Sequence, residues 1–138
     1  MAIHGTSMIA DSANDVVAVQ VKPLASSDYS FSNFSNLGAN ATLNVKATAG
    51  NVFALKCCNN NAAARYIQLH NTATTPAGGA VPLETFLVPA NSEVIIGTDY
   101  FGPAGRNFST GIAFAYSTTQ GTYTAGTAAE QFTFVKYI

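Results

Sequence analysis

Residues 50–97 read GNVFALKCCNNNAAARYIQLHNTATTPAGGAVPLETFLVPANSEVIIG. Apolar and polar residues alternate in short runs. Phe53, Leu55 and Cys57 are offset by Lys56, and Ile67 and Leu69 by Gln68 and His70. A period of two places alternate side chains on one face of a strand, so each run predicts a strand with one buried face. Phe53 and Leu55 are therefore expected in the core, and Gln68 and His70 in solvent. The intervening Asn, Ala, Gly and Pro residues favour turns. No acid, base or nucleophile clusters among them. The stretch predicts a β-sandwich that serves as a building block rather than a catalyst.

The alternation continues on both sides. Strand signals cover 15–22, 41–48, 52–58, 65–71, 82–88, 93–97, 110–116 and 131–138. Residues 41–48 and 52–58 are separated by a short Ala49-Gly50 turn and are expected to pair as a hairpin. The prolines around 82–88 suggest an edge position. In 110–116, Ile112, Phe114 and Tyr116 share one face. Gly111, Ala113 and Ala115 share the other, small enough for another layer to pack closely. In 131–138, Phe132 and Phe134 oppose Thr133, Val135 and Tyr137. Residues 24–40, 72–81, 98–108 and 117–127 read as loops. The first carries aromatic residues Tyr29, Phe31 and Phe34 that could hold it against the sandwich. About eight strands at regular spacing predict an all-β, antiparallel, jelly-roll-like sandwich. It forms one domain over 15–138. An extended N-terminal arm, 1–14, precedes it, with apolar side chains at Ile3, Met8 and Ile9.

The chain has 138 residues, enough for one domain with a real core. Its apolar fraction of 48% is ordinary, but charged residues make up only 9%, against roughly 25% in typical domains. A surface so poor in charge fits an assembly in which neighbours cover much of it, the favoured reading, or a secreted or virion protein that faces solvent. The net charge is −1 and the basic residues are scattered, which argues against a nucleic-acid or membrane-binding patch. No run approaches the length of a membrane span. The opening MAIHGTSMIADSAND lacks a positive start followed by an apolar core and so does not read as a secretory signal; synthesis in a cytoplasm is expected. Cys57 and Cys58 are adjacent and read as free thiols in a reducing compartment.

Catalytic and metal-binding patterns are weak. His4 and His70 are the only histidines, too few and too far apart in sequence for a metal site. No serine lies in a GxSxG elbow. Glu84 and Glu93 flank one turn and could approach each other, but the chain has no Trp to line a glycosidase cleft. Gly78-Gly79 is followed by neither Lys nor a helix signal, so it is no phosphate loop. Asn-x-Ser/Thr triplets at Asn33, Asn40 and Asn107 arise easily in a chain this rich in those residues. Tyr66, Tyr100, Phe101, Tyr123 and Tyr137 could stack on sugar. Tyr also suits half-wet subunit contacts, which is the simpler reading.

The segment GNVFALKCCNNNAAARYIQLHN, the Pro/Gly loop after it, the closing VPANSEVIIG and the later FSTGIAFAYSTT together resemble a small β-sandwich domain of tailed-bacteriophage structural proteins, notably of cyanophages. The resemblance spans about residues 41–138 and departs from the usual pattern at Cys57-Cys58. It implies a virion component, most simply a capsid decoration (cement) protein on the head surface. The alternative is a tail, fibre or spike module that binds a host glycan. It implies no catalytic residue, cofactor or metal. The implied partners are the major capsid protein or other virion proteins and further copies of the chain, with a trimer favoured. The candidate assembly contacts are Ile3, Met8, Ile9, Tyr66 and Tyr137.

Overall fold

The computed structural model describes residues 41–126 and 131–138 in full, and the strand backbone at 10–11, 16–17 and 30–35. In chain order the strands are β1 (Ala10–Asp11), β2 (Val16–Val17), β3 (Ser30–Ser35), β4 (Thr42–Lys46), β5 (Gly50–Asn59), β6 (Arg65–Asn71), β7 (Glu84–Val88) and β8 (Ser92–Ile96). After a short helix, α1 (Thr98–Phe101), come β9 (Arg106–Phe108), β10 (Ile112–Ser117) and β11 (Gln131–Tyr137).

One sheet has the order β4-β10-β6-β7 and the other β3-β11-β5-β8, all neighbours antiparallel; β9 adds to the start of β5. Among these eight sandwich strands the first pairs with the last and the second with the seventh. The third pairs with the sixth and the fourth with the fifth. A single long antiparallel hairpin rolled into two layers gives this pairing, which is the jelly roll.

The inner faces follow the alternation. Ile112, Phe114 and Tyr116 of β10, Ile67 and Leu69 of β6, and Leu55 and Cys57 of β5 are buried. Val135 and Thr133 of β11 face them. The Tyr116 hydroxyl donates to Thr133 Oγ1 at 2.8 Å, tying the two sheets together across the core. Phe53 is buried as well, its ring close beneath Gly105. A register shift between Lys136 and Tyr137 sets Tyr137 opposite Val52, which is also buried.

Five sequence expectations need correction. Strands β4 and β5 do not form a hairpin. They lie in opposite sheets, because each must present its apolar face to the same core from its own side. Gly50 is where the crossing runs close to Ile138, leaving no room for a side chain. Within 24–40, Ser30–Ser35 is a strand, the edge partner of β11, rather than part of a loop. Its Ser/Asn/Phe composition hides it, and its partner supplies the pairing. Within 98–108 lie α1 and β9. Of 15–22, Val16–Val17 pairs with β1 and not with the sandwich sheets, and 18–22 fall outside the described residues.

The fifth correction concerns Gln68 and His70, which are buried rather than exposed. Two loops cover them. Gln68 Nε2 lies within 2.9–3.1 Å of the carbonyl oxygens of Thr119, Gln120 and Thr122. Ser117 Oγ donates to Thr122 O and accepts from the amides of Thr119 and Thr124. The 72–81 loop then locks onto the same flap. Gly79 N–H donates to Tyr123 O, and Tyr123 N–H to Ala80 O, each at 2.8 Å. The small face of Ala113 and Ala115 thus receives a layer from the chain itself.

His70 sits under this flap, edge-on to Tyr123 at 6.4 Å, with Nε2 3.3 Å from Gln68 Oε1. Burial lowers its pKa, partly offset by a backbone hydrogen bond at Val81. A histidine lowered on folding favours the neutral form. The unfolded chain then binds more protons, and stability falls as pH drops below the ordinary value of about 6.5. Thermal melts from pH 7.5 to 5 should show this loss, and His70→Gln should flatten it. An unchanged slope in the variant would assign the pH dependence to other groups.

Candidate functional site

The two sheets treat their outer faces differently. The β4-β10-β6-β7 face is largely covered by the 72–81 and 117–126 loops. Among the described residues no comparable flap covers the outer face of β11, β5 and β8. Strand pairing builds this face in rows. Phe134, Lys56 and Ile95 lie side by side, and Phe132, Cys58 and Glu93 form the next row. Ala54 and Lys136 form a third. Ile95 is 69% exposed and Phe134 46% exposed. Both belong to regular strands, so their exposure is fixed by the pleat and not by a mobile tip.

The result is a shallow apolar depression of about 290 Å³, lined by Ala54, Leu55, Lys56, Ile95, Phe134, Val135 and Lys136. Its polar edge is a small network. Lys56 Nζ is 2.8 Å from Glu93 Oε2, and the Cys58 thiol donates to the same oxygen at 3.4 Å. The hydrogen bond from Lys56 holds Glu93 below the usual carboxylate range, and Glu93 raises Lys56 in return. Burial and then Glu93 push the Cys58 thiol up. Burial pushes Cys57 up to about 12. A thiolate is the nucleophilic form, so this environment works against reactivity at both cysteines. What the face offers is apolar area with a paired charge at its margin, suited to contact.

A second cluster lies at α1. Tyr100, 60% exposed, donates to Glu84 Oε2 at 3.1 Å. Arg106 Nε lies 2.9 Å from Glu84 Oε1, an ionic contact in which the N–H is not aligned for a hydrogen bond. Phe86, Tyr100 and Phe101 pack edge to face at 5.2–6.0 Å.

The residues proposed from sequence scatter. Ile3, Met8 and Ile9 lie outside the described residues. Tyr66 is half-buried on β6, opposite Leu87 and Ser117. Tyr137 is half-buried and packs against the core, in the other sheet. Of the five aromatics considered for sugar, Phe101 and Tyr123 are buried and Tyr100 is exposed. Glu84 and Glu93 are engaged in separate networks. Sequence reasoning missed Ile95 and Phe134. The signal was the Phe132/Phe134 face of β11, whose outward direction depends on Thr133 and Val135 taking the inner side.

No family model, curated protein or solved structure matches this chain. Jelly rolls occur in capsid proteins, lectins and cupins alike, and a fold does not choose among these uses. Among the described residues no three His, Cys, Asp or Glu side chains gather where a metal could bind.

Proposed function

We propose that this chain is a non-catalytic building block of a virion, a decoration protein on the head of a tailed bacteriophage. It would be made in the host cytoplasm and bound to the major capsid protein or other virion proteins. The carrying observation is the apolar face of β11, β5 and β8, which no loop among the described residues covers, beside an opposite face largely covered by the chain's own loops. The sparse charge supports the same reading, because contacts that depend little on Coulomb attraction survive changes in salt. A closed homo-oligomer, with three copies favoured, would repeat modest contacts, and repetition supplies strength through effective concentration. The resemblance of residues 41–138 to phage structural domains agrees. The test is addition of the purified chain to heads that lack it. Binding in copy numbers set by shell symmetry, with heads more resistant to heat, is the expected result. Failure to bind any head would sink the reading.

A second reading is favoured by Tyr100. An exposed ring beside a carboxylate and a guanidinium is a common way to hold a sugar. Under it the chain is a tail or fibre module that recognises a host glycan. Binding of purified protein to host cells, lost on Tyr100→Ala, would select this reading over the first.

A further inference from the structure

We propose that the 117–126 flap and the 72–81 loop form an acid-released lid: when His70 takes up a proton, the two swing away together and uncover the outer face of β6 and β10 while the sandwich stays folded. The lid belongs to the sheet opposite the apolar face, and its action is independent of what that face binds. Its two loops hold each other, since Gly79 N–H donates to Tyr123 O and Tyr123 N–H to Ala80 O, each at 2.8 Å. Backbone bonds pin its ends, from Thr72 N–H to Gly111 O and from Gly126 N–H to Tyr116 O. Between those pins its hold on the sandwich runs through few groups. Gln68 Nε2 meets the carbonyl oxygens of Thr119, Gln120 and Thr122, and Ser117 Oγ ties down Thr119, Thr122 and Thr124. Of residues 72–81 and 118–126 only Pro76 and Tyr123 are buried. Segments with so little buried apolar contact open locally before a core does.

His70 is placed to break that hold. It lies beneath the lid, edge-on to Tyr123 at 6.4 Å, with Nε2 3.3 Å from Gln68 Oε1. The three carbonyls fix the Gln68 amide with its Nε2 toward the flap, so Oε1 is the atom that faces the ring. A cavity of about 250 Å³ separates ring and loop, bounded by His70, Thr74, Pro76, Ala77, Ala80 and Val81 among others. A small movement of the loop therefore brings water to the imidazole. Gly79 and Gly121 stand in open space, so neither loop tip is wedged in place.

Among the described residues no carboxylate compensates a charge on the ring. The 72–81 and 117–126 loops and β10 contain no Asp, Glu, Lys or Arg. Tyr123, whose phenol is pushed up by burial, stays neutral. Glu84 of β7 lies beside Leu69, which points into the core on the other side of the sheet, and is engaged by Arg106 and Tyr100. Lys46 of β4 lies by Gly50, and Arg65 is at the far end of β6. Burial lowers the His70 pKa, and a backbone bond at Val81 offsets this only in part. The closed lid thus favours the neutral ring, and the open lid lets it titrate near its ordinary value of about 6.5. Closure has its full strength above that value. It weakens as pH falls through it and levels off below the lowered value.

The experiment is amide hydrogen exchange on the full chain, read by NMR from about pH 7.5 to 5.5 and corrected for the intrinsic pH dependence of exchange. Protection at the Gly79, Tyr123 and Thr124 amides is expected to fall by up to about tenfold per pH unit below about 6.5. Amides at the centre of β5 should keep theirs. Equal loss at β5 would mean that the whole fold yields, and unchanged protection in the lid would mean that the proton does not release it; either overturns the proposal. His70→Gln has no ring to protonate and should hold lid protection level across the range. A lid that still opens in this variant would assign the trigger to another group and also overturn the proposal. Should the variant fail to fold, the titration of the His70 ring in the parent decides. A midpoint below about 6.5 is expected, and one at or above that ordinary value would overturn the proposal.

Discussion

Phe114→Ala is expected to destabilise the fold by about 3–5 kcal/mol. Phe114 is fully buried at the centre of β10, the inner strand between β4 and β6, and it belongs to the main core cluster. Truncation removes the ring from a packed interior and leaves a cavity that rigid strands on both sides resist closing. Urea unfolding measures the shift in midpoint. Phe134→Ala is the matched control. Its ring stands on the outer face, 46% exposed, so the change should stay within about 0.5 kcal/mol. The pair reads the inward direction of two strands in one experiment. A costly Phe134→Ala beside a neutral Phe114→Ala would mean the sheets are inside out.

Gly111→Val should be nearly as damaging, through crowding instead of loss. A Cβ at Gly111 would lie 2.5 Å from Thr72 O, 2.8 Å from Ala73 Cα and 2.8 Å from Lys46 O. All three are backbone atoms, from two other segments of the chain, so no side-chain rotation relieves the clash. Gly111 O also accepts from Thr72 N–H at 3.1 Å, and moving one segment breaks that bond. A cost of about 3 kcal/mol is expected, the upper part of the range for overpacking. Soluble expression and the urea midpoint both read it. Tolerance of valine would show that the 72–81 loop does not close over this end of β10 as described.

The sequence made the fold legible where one face of a strand meets the core and the other meets solvent. Residues 65–71, read as a strand from Ile67 and Leu69, match β6 residue for residue. Alternation fails where a second layer exists. Gln68 and His70 look outward by composition, yet the 117–126 flap, held to Gln68 across 51–54 residues of sequence, covers them together with the 72–81 loop. Nothing local marks that closure. Ser30–Ser35 was obscured for the opposite reason, since an edge strand draws its pairing from β11 at the far end of the chain. The candidate face was half legible. The Phe132/Phe134 alternation was plain, but its direction was set by Tyr116 reaching Thr133 from the other sheet. Ile95 lies in a run of apolar residues, Val94, Ile95 and Ile96, where periodicity does not say which one points out.

The most direct test of the central claim is the mass of the full chain in solution, by sedimentation over a wide range of concentration and salt. The account predicts one discrete closed oligomer, three copies favoured, that persists at high salt. A monomer at every concentration would contradict it.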